Sequence, residues 1–205
     1  MMREYSIDRF IEELSSGAPG PGGGGASALM GAVASALCSM VGNLTSGKKK
    51  YAEYQADIER IMGKAVELAD EMESLIEKDA EAFEPLAKAY SIPKEEPGRD
   101  EILEKALFDA ALAPLEIVKK AKEAAELIEE LTVKGSRLAI SDVGVAAAAC
   151  AACAKGASMN VYINTKLMKN REVAEKLNEE TISLVDAVSR ICDSSYETVK
   201  EGLGA

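Results

Sequence analysis

A glycine run, a lysine triplet, two aspartates and two asparagines carry most of the chemistry this sequence could perform. Gly22, Gly23, Gly24 and Gly25 follow Pro19 and Pro21 and lead into a segment of small apolar residues. Glycine lets other groups approach its N–H closely, and a glycine loop opening a helix offers unpaired N–H groups and a positive dipole end to an anion. At the far end of the same segment, Asn43 and Thr45 precede Lys48, Lys49 and Lys50, a second place for negative charge. The stretch from Ala18 to Tyr51 is therefore a candidate ligand site.

Asp79 falls in phase with the apolar stripe Met72, Leu75, Ile76, Phe83 and Leu86. A carboxylate on a buried face costs free energy unless it is paired or protonated. It is either half of an ion pair with a neighbouring helix or a carboxylate held in a semi-buried cleft, able to act as acid, base or partner to a cation. Ser141 and Asp142 interrupt an apolar run just before Val143, and read either as a helix N-cap or as a carboxylate displayed at a helix start. Asn160 and Asn164, four apart, share a helical face. They suit a polar heterocycle, or simply cap the helix end.

Other chemistries are disfavoured by what is missing. The chain has no histidine, which removes the commonest general base, the Ser-His and Cys-His nucleophile pairs and nearly every catalytic zinc pattern. Gly20 to Gly25 formally matches GxGxxG, but no strand precedes it and Ala26-Ser27 stands where a phosphate loop needs lysine and a hydroxyl residue. Cys150 and Cys153 form a CxxC without a second pair, and Cys38 and Cys192 stand alone. All four read as small buried apolar side chains rather than as metal or redox groups.

At 205 residues, with a formal net charge of -11, the chain reads as a single domain spanning 1–205, and nucleic acid is not expected as a partner. The N-terminus shows no signal-peptide pattern. The longest apolar run, Val143 to Ala154, is too short and alanine-rich to span a bilayer, so a cytoplasmic protein with no membrane partner is expected. Helical periodicity predicts helices over 3–16, 26–46, 52–90, 99–132, 138–168 and 171–202, with 17–25 a glycine loop. Kinks are expected at Pro85 and Pro114. In the first helix the expected buried face is Ile7, Phe10, Ile11 and Leu14. The last carries an apolar stripe that includes Ile182. The glutamate-rich run 123–130 reads as a solvated face. The fold class is all-α, a bundle of five to six helices with long antiparallel members. Two helices are rich in small residues, whose faces suggest subunit contacts and hence at least a homodimer.

Together the stretches APGPGGGGASA, NLTSGKKKY, KDAEAFEPLAKAYSIPK, SDVGVAA and ASMNVYIN resemble the cyclodeaminase/cyclohydrolase family. It comprises the C-terminal domain of formiminotransferase-cyclodeaminase and stand-alone methenyltetrahydrofolate cyclohydrolases. One departure is an extra Pro-Gly in the glycine loop, which moves the following hydroxyl to Ser27. The resemblance implies an all-helical homodimer acting on the one-carbon group that bridges N5 and N10 of tetrahydrofolate, with no metal or redox cofactor. It places the glycine loop, Lys48 to Lys50, Asp79, Ser141, Asp142 and Asn160 around a folate cleft. Asp79 would be the first acid, base or electrostatic group and Asp142 the second. The lysines would suit the carboxylates of the folate's glutamate tail, with one of them, Lys50 for example, facing the reacting carbon. A chain of this length resembles the cyclohydrolases more than the cyclodeaminases.

Overall fold

A computed structural model describes all 205 residues as six α-helices joined by short turns. They are α1 (Ile7–Leu14), α2 (Gly23–Asn43), α3 (Gln55–Tyr90), α4 (Arg99–Lys134), α5 (Ile140–Leu167) and α6 (Arg171–Gly202). Single turns of 3-10 helix precede α1 and α5, and a longer one, Lys49–Tyr54, leads into α3.

Local signals account for the boundaries. Ser6 caps α1 by accepting the N–H of Arg9 at 3.2 Å, and Asn170 caps α6 by accepting that of Val173 at 3.2 Å. The turn at Pro93, Pro97 and Gly98 reverses the chain before α4. Gly98 takes φ 82° there, a left-handed conformation that costs glycine little. Both α3 and α4 remain continuous helices through Pro85 and Pro114. The backbone bond that each proline removes is outweighed by packing along helices of 36 residues.

The helix α4 touches each of the other four long helices, which follow one another in contact as α3, α2, α5 and α6. The two small-residue helices α2 and α5 run antiparallel. Gly23 lies beside Asn160, Ser27 beside Gly156, and Gly31 beside Cys153. A methyl group at Gly31 would come within 2.7 Å of Met72 and 2.9 Å of the Cys153 sulfur, and one at Gly156 within 2.5 Å of Ser27 Oγ. The small side chains are thus used inside the chain, to bring α2 against α5 and α3. By length and composition both α2 and the Arg137–Leu167 helical segment are long and apolar enough to cross a bilayer, a property that core helices share, and about half of each is buried in the bundle.

Several expectations are corrected. On α1 Phe10 is buried and Leu14 packs half-buried against the core, while Ile7 and Ile11, on the other side of the helix, remain exposed. Ile182 on α6 is exposed too. The glutamate run of α4 is an interhelical ladder rather than a free solvated face. Glu123 bridges Lys64 and Lys120 at 2.9 and 3.0 Å, and Glu130 meets Arg60 and Lys134, each at 2.6 Å. The four cysteines are buried and form no disulfide, and burial pushes the thiols of Cys38 and Cys153 up to about 12.

The close approach of α2 sets an expected outcome. Gly31→Val should destabilise the protein by about 1–3 kcal/mol, the usual cost of forcing extra carbon into a filled core. That is a fall of several degrees in Tm for a chain of this size. An unchanged melting temperature would contradict the packing.

Candidate functional site

The α2 helix begins three residues earlier than the sequence pattern suggests, so Gly23, Gly24 and Gly25 form its first turn and Gly22 its N-cap. The reason lies on α3. A Cβ on Gly24 would collide with both carboxylate oxygens of Asp79. Only glycine lets the Asp79 side chain lie this close to the open end of α2. The anion that a helix N-terminus favours is here supplied by the protein itself.

Asp79 is half-buried and has no cation beside it, so the ion-pair reading is not realised. Burial pushes its carboxyl above the usual aspartate range, and a hydrogen bond from the Gly25 backbone pulls the other way. The carboxylate faces a cavity of about 230 Å³ lined by Gly22, Gly23, Phe83, Ala110, Asn160 and Asn164, among others. Asn160 donates its Nδ2 to the Gly156 carbonyl at 3.1 Å. Asn164 donates to the carbonyls of Ala110 at 3.1 Å and Asn160 at 2.9 Å. These bonds fix both amides and leave their Oδ1 atoms as uncommitted acceptors. The cavity therefore offers three acceptor side chains and no cation, which suits a positively charged ligand rich in N–H or polarised C–H groups.

Past Pro19, Ala80 and Phe83 the cavity adjoins a groove of about 620 Å³ walled by Met2, Tyr5, Glu77, Glu84 and Lys88. Met2 donates its backbone N–H to Glu77 at 2.6 Å, which fixes the N-terminal turn as one wall. The two spaces together match the volume of sites for drug-sized ligands. A separate cavity of about 550 Å³ lies between the start of α4 and the α5–α6 turn. Its Glu104 is committed to the N–H groups of Lys169 and Asn170, at 2.6 and 2.9 Å, and so ties the chain together.

The remaining candidates lie elsewhere. Ser27 is buried against Gly156 with its hydroxyl donated back to the Gly23 carbonyl at 2.7 Å, outside the cavity. Asn43 is exposed and bonded to the Ser39 carbonyl at 2.9 Å. Lys48, Lys49 and Lys50 follow the C-terminal end of α2, at the other end of a helix of 21 residues, or ~30 Å. There Lys48 Nζ meets Ser136 Oγ at 3.2 Å, and Lys50 stands 5.6 Å from the centre of the Tyr51 ring. The Tyr51 hydroxyl accepts the N–H of Arg137 at 2.9 Å. That bond, with smaller help from the Ser136 hydroxyl and then from Lys50 and Lys48, holds the phenol below the usual tyrosine range. Ser141 and Asp142 lie in the first turn of α5, at this same end of the molecule. Ser141 is exposed and does not cap the helix, whose N-cap is Ala139. The candidates thus form two clusters, one around Asp79 and one around the lysines.

Sequence reasoning missed Phe83 as a cavity wall, because its phase matches the core stripe although its ring is 40% exposed. It also passed over Tyr51, Ser136 and Arg137 as companions of the lysines. Tyr51 adjoins the triplet in sequence, but no spacing signal links 51 to 137.

A family model described as formiminotransferase-cyclodeaminase matches residues 6–183. The chain belongs to this family. A methenyltetrahydrofolate cyclohydrolase from Methylorubrum extorquens is 39% identical over 204 residues, covering 98% of each chain. The formimidoyltransferase-cyclodeaminase of Mus musculus is 30% identical over 186 residues, which span 89% of this chain but 34% of that one. Among solved structures, a formiminotetrahydrofolate cyclodeaminase from Thermotoga maritima superposes with a TM-score of 0.91 at 29% identity, covering 99% of this chain and all of that one. Both names thus occur among full-length relatives of this family member, so chain length does not separate the two activities.

The raised carboxyl of Asp79 has a thermodynamic signature. Its folded-state value lies above the unfolded one, so the native state binds more protons and stability falls as pH rises through that interval. Asp79→Asn removes the buried charge. The variant should melt above the parent near pH 7, and the gain should vanish as pH falls below about 3.8, the ordinary aspartate value. Thermal melts of both proteins from pH 3 to 7 check this, and equal melting temperatures throughout would contradict the burial.

Proposed function

We infer that the protein hydrolyses 5,10-methenyltetrahydrofolate to 10-formyltetrahydrofolate. The observation that carries this reading is the unpaired Asp79 carboxylate facing a cavity of neutral acceptors, in a chain that aligns end to end with a named cyclohydrolase. The substrate is an amidinium cation. Its positive carbon bridges N5 and N10 and is the point at which water attacks.

The residues divide the work simply. Asn160 and Asn164 turn carbonyl oxygens towards the cation, and Phe83 walls the cavity on the groove side. Asp79 takes a proton from the attacking water as the new C–O bond forms. The neutral carbinolamine that results still carries both C–N bonds. Protonated Asp79 returns its proton to N5 as the N5–carbon bond breaks, the formyl carbonyl forms on N10, and the hydroxyl proton leaves to solvent. The raised carboxyl assists both steps, since a base nearer neutrality accepts and returns a proton more readily. The lysine cluster suits the carboxylates of a glutamate tail. The working unit in this reading is a homodimer.

The second reading, cyclodeamination of formiminotetrahydrofolate, is favoured by the Thermotoga maritima fold match. In it N10 attacks the formimino carbon and protonated Asp79 supplies the proton with which ammonia departs. The same cavity and the same carboxyl serve both reactions.

Purified protein supplied with each folate should consume methenyltetrahydrofolate, followed by loss of its absorbance. Asp79→Asn should fold normally and lose at least about a hundredfold in rate, a typical acid–base contribution. Production of methenyltetrahydrofolate from the formimino compound, without its hydrolysis, would select the second reading. Parental turnover in Asp79→Asn would remove Asp79 from the mechanism.

A further inference from the structure

Within one chain the lysine cluster lies the length of α2 away from Asp79. Lys48, Lys49, Lys50 and Arg137 form no ion pair. By contrast, Lys64, Lys120 and Lys134 on α3 and α4 each meet two carboxylates. These four unpaired cations outnumber Glu53 and Asp142 at the same end and leave it net positive in a chain of net charge -11. The opposite end of the molecule carries Asp79 and, on the same stretch of α3, Glu77, Glu81 and Glu84, against the single cation Lys78.

Between these ends runs an uncovered apolar face. On α2, Val33 and Met40 are 47% and 39% exposed, and on α5, Val145 and Met159 are 55% and 59% exposed. Near the middle of α5, the exposed residues are Ala148, Ala152 and Lys155. Large apolar residues flank a small-residue centre, with Lys155 the one exposed charge among them on α5. This lets a second helix pair approach closely, and a largely apolar exposed face of this kind marks an interaction surface.

We propose that a second copy of this chain covers this face about a two-fold axis near Ala152, with the helices antiparallel, and that the partner's Lys48 to Lys50 complete the site of Asp79. A two-fold contact is isologous, so each end of the face meets the other end of its copy. The positive end of one protomer then lies against the acidic end of the other. Because α2 and α5 are antiparallel within a chain, the same operation also brings the partner's Asp142 towards Asn160. The two clusters that one chain holds apart become a single cleft, repeated twice per dimer. The lysines then lie within reach of the carboxylates of a monoglutamyl folate whose reacting carbon sits at Asp79. This assignment of the lysines rests on the folate reading above.

Subunit complementation tests it. Two differently tagged chains are co-expressed, one carrying Asp79→Asn and the other Lys48→Ala, Lys49→Ala and Lys50→Ala together. Each homodimer should lose at least about tenfold in kcat/KM for monoglutamyl methenyltetrahydrofolate, as loss of charge-assisted bonds implies. The lysine variant should lose it mainly through KM. Heterodimers isolated through both tags hold one doubly altered site and one intact site, so about half of the parental activity should return. Heterodimers no more active than the two homodimers would place the lysines in the site of their own chain and overturn the proposal. So would a lysine variant with parental kcat/KM.

A second measurement is independent of activity. Ala152→Cys, close to the axis, should form a disulfide with its own copy under copper-phenanthroline oxidation, giving a dimer on a non-reducing gel. A protein that stays monomeric in light scattering and forms no cross-link would overturn the antiparallel arrangement, as would one that places this face on lipid vesicles instead. Failure of the unaltered protein to turn over any folate would overturn the folate reading and the role of the lysines, while the cross-link would still decide the arrangement.

Discussion

The structure depends on the approach of one carboxylate to one helix end. Asp79 can lie against the start of α2 only because Gly24 has no side chain, and α2 can lie that close to α3 only because Gly31 and Gly42 clear space for Met72 and Met62. The result is a carboxyl with conflicting neighbours. Burial raises it, the Gly25 backbone steadies its ionised form, and no cation neutralises it. A group held in that balance is ready to exchange a proton, and it is positioned by backbone and core rather than by a mobile partner.

The same constraint explains the composition. Alanine, glycine and serine dominate α2 and α5 because the two helices must pass near one another and near α3, and larger side chains would push the first turn of α2 away from Asp79. Stability is recovered on the other side of the bundle. There α3 and α4 lie side by side over most of their length, joined by the ladder of Arg60, Lys64, Lys120 and Lys134 with their acidic partners. Rigid long helices on one side permit thin, closely fitted helices on the other.

Much of the fold is legible in the sequence because helical periodicity is local. The six helices, their order and the Pro93–Gly98 turn follow from it, as does the phase of Asp79. The start of α2 does not, since glycine carries no periodic signal and its helical state here depends on a carboxylate more than fifty residues away. Phe83 misleads for a related reason. Its phase is that of the core, but α2 begins where a covering side chain would have to be, and the ring is left at a cavity wall. The small-residue faces suggest subunit contact, yet their inward sides are consumed within the chain. Only the outward sides of α2 and α5 remain for a partner. The motifs that carry the family resemblance are contiguous in sequence but split between two ends of the molecule, a separation that no spacing rule reveals.

The central claim is that a half-buried, unpaired Asp79 is the proton-exchanging group. It is tested most directly by the pH dependence of kcat/KM for methenyltetrahydrofolate, measured in the parent and in Asp79→Asn. The expected profile falls on the acid side with a midpoint above the ordinary aspartate value of 3.8, because protonation removes the base. That limb should be absent from the residual activity of the variant. An acid limb of unchanged midpoint in both proteins would contradict the account.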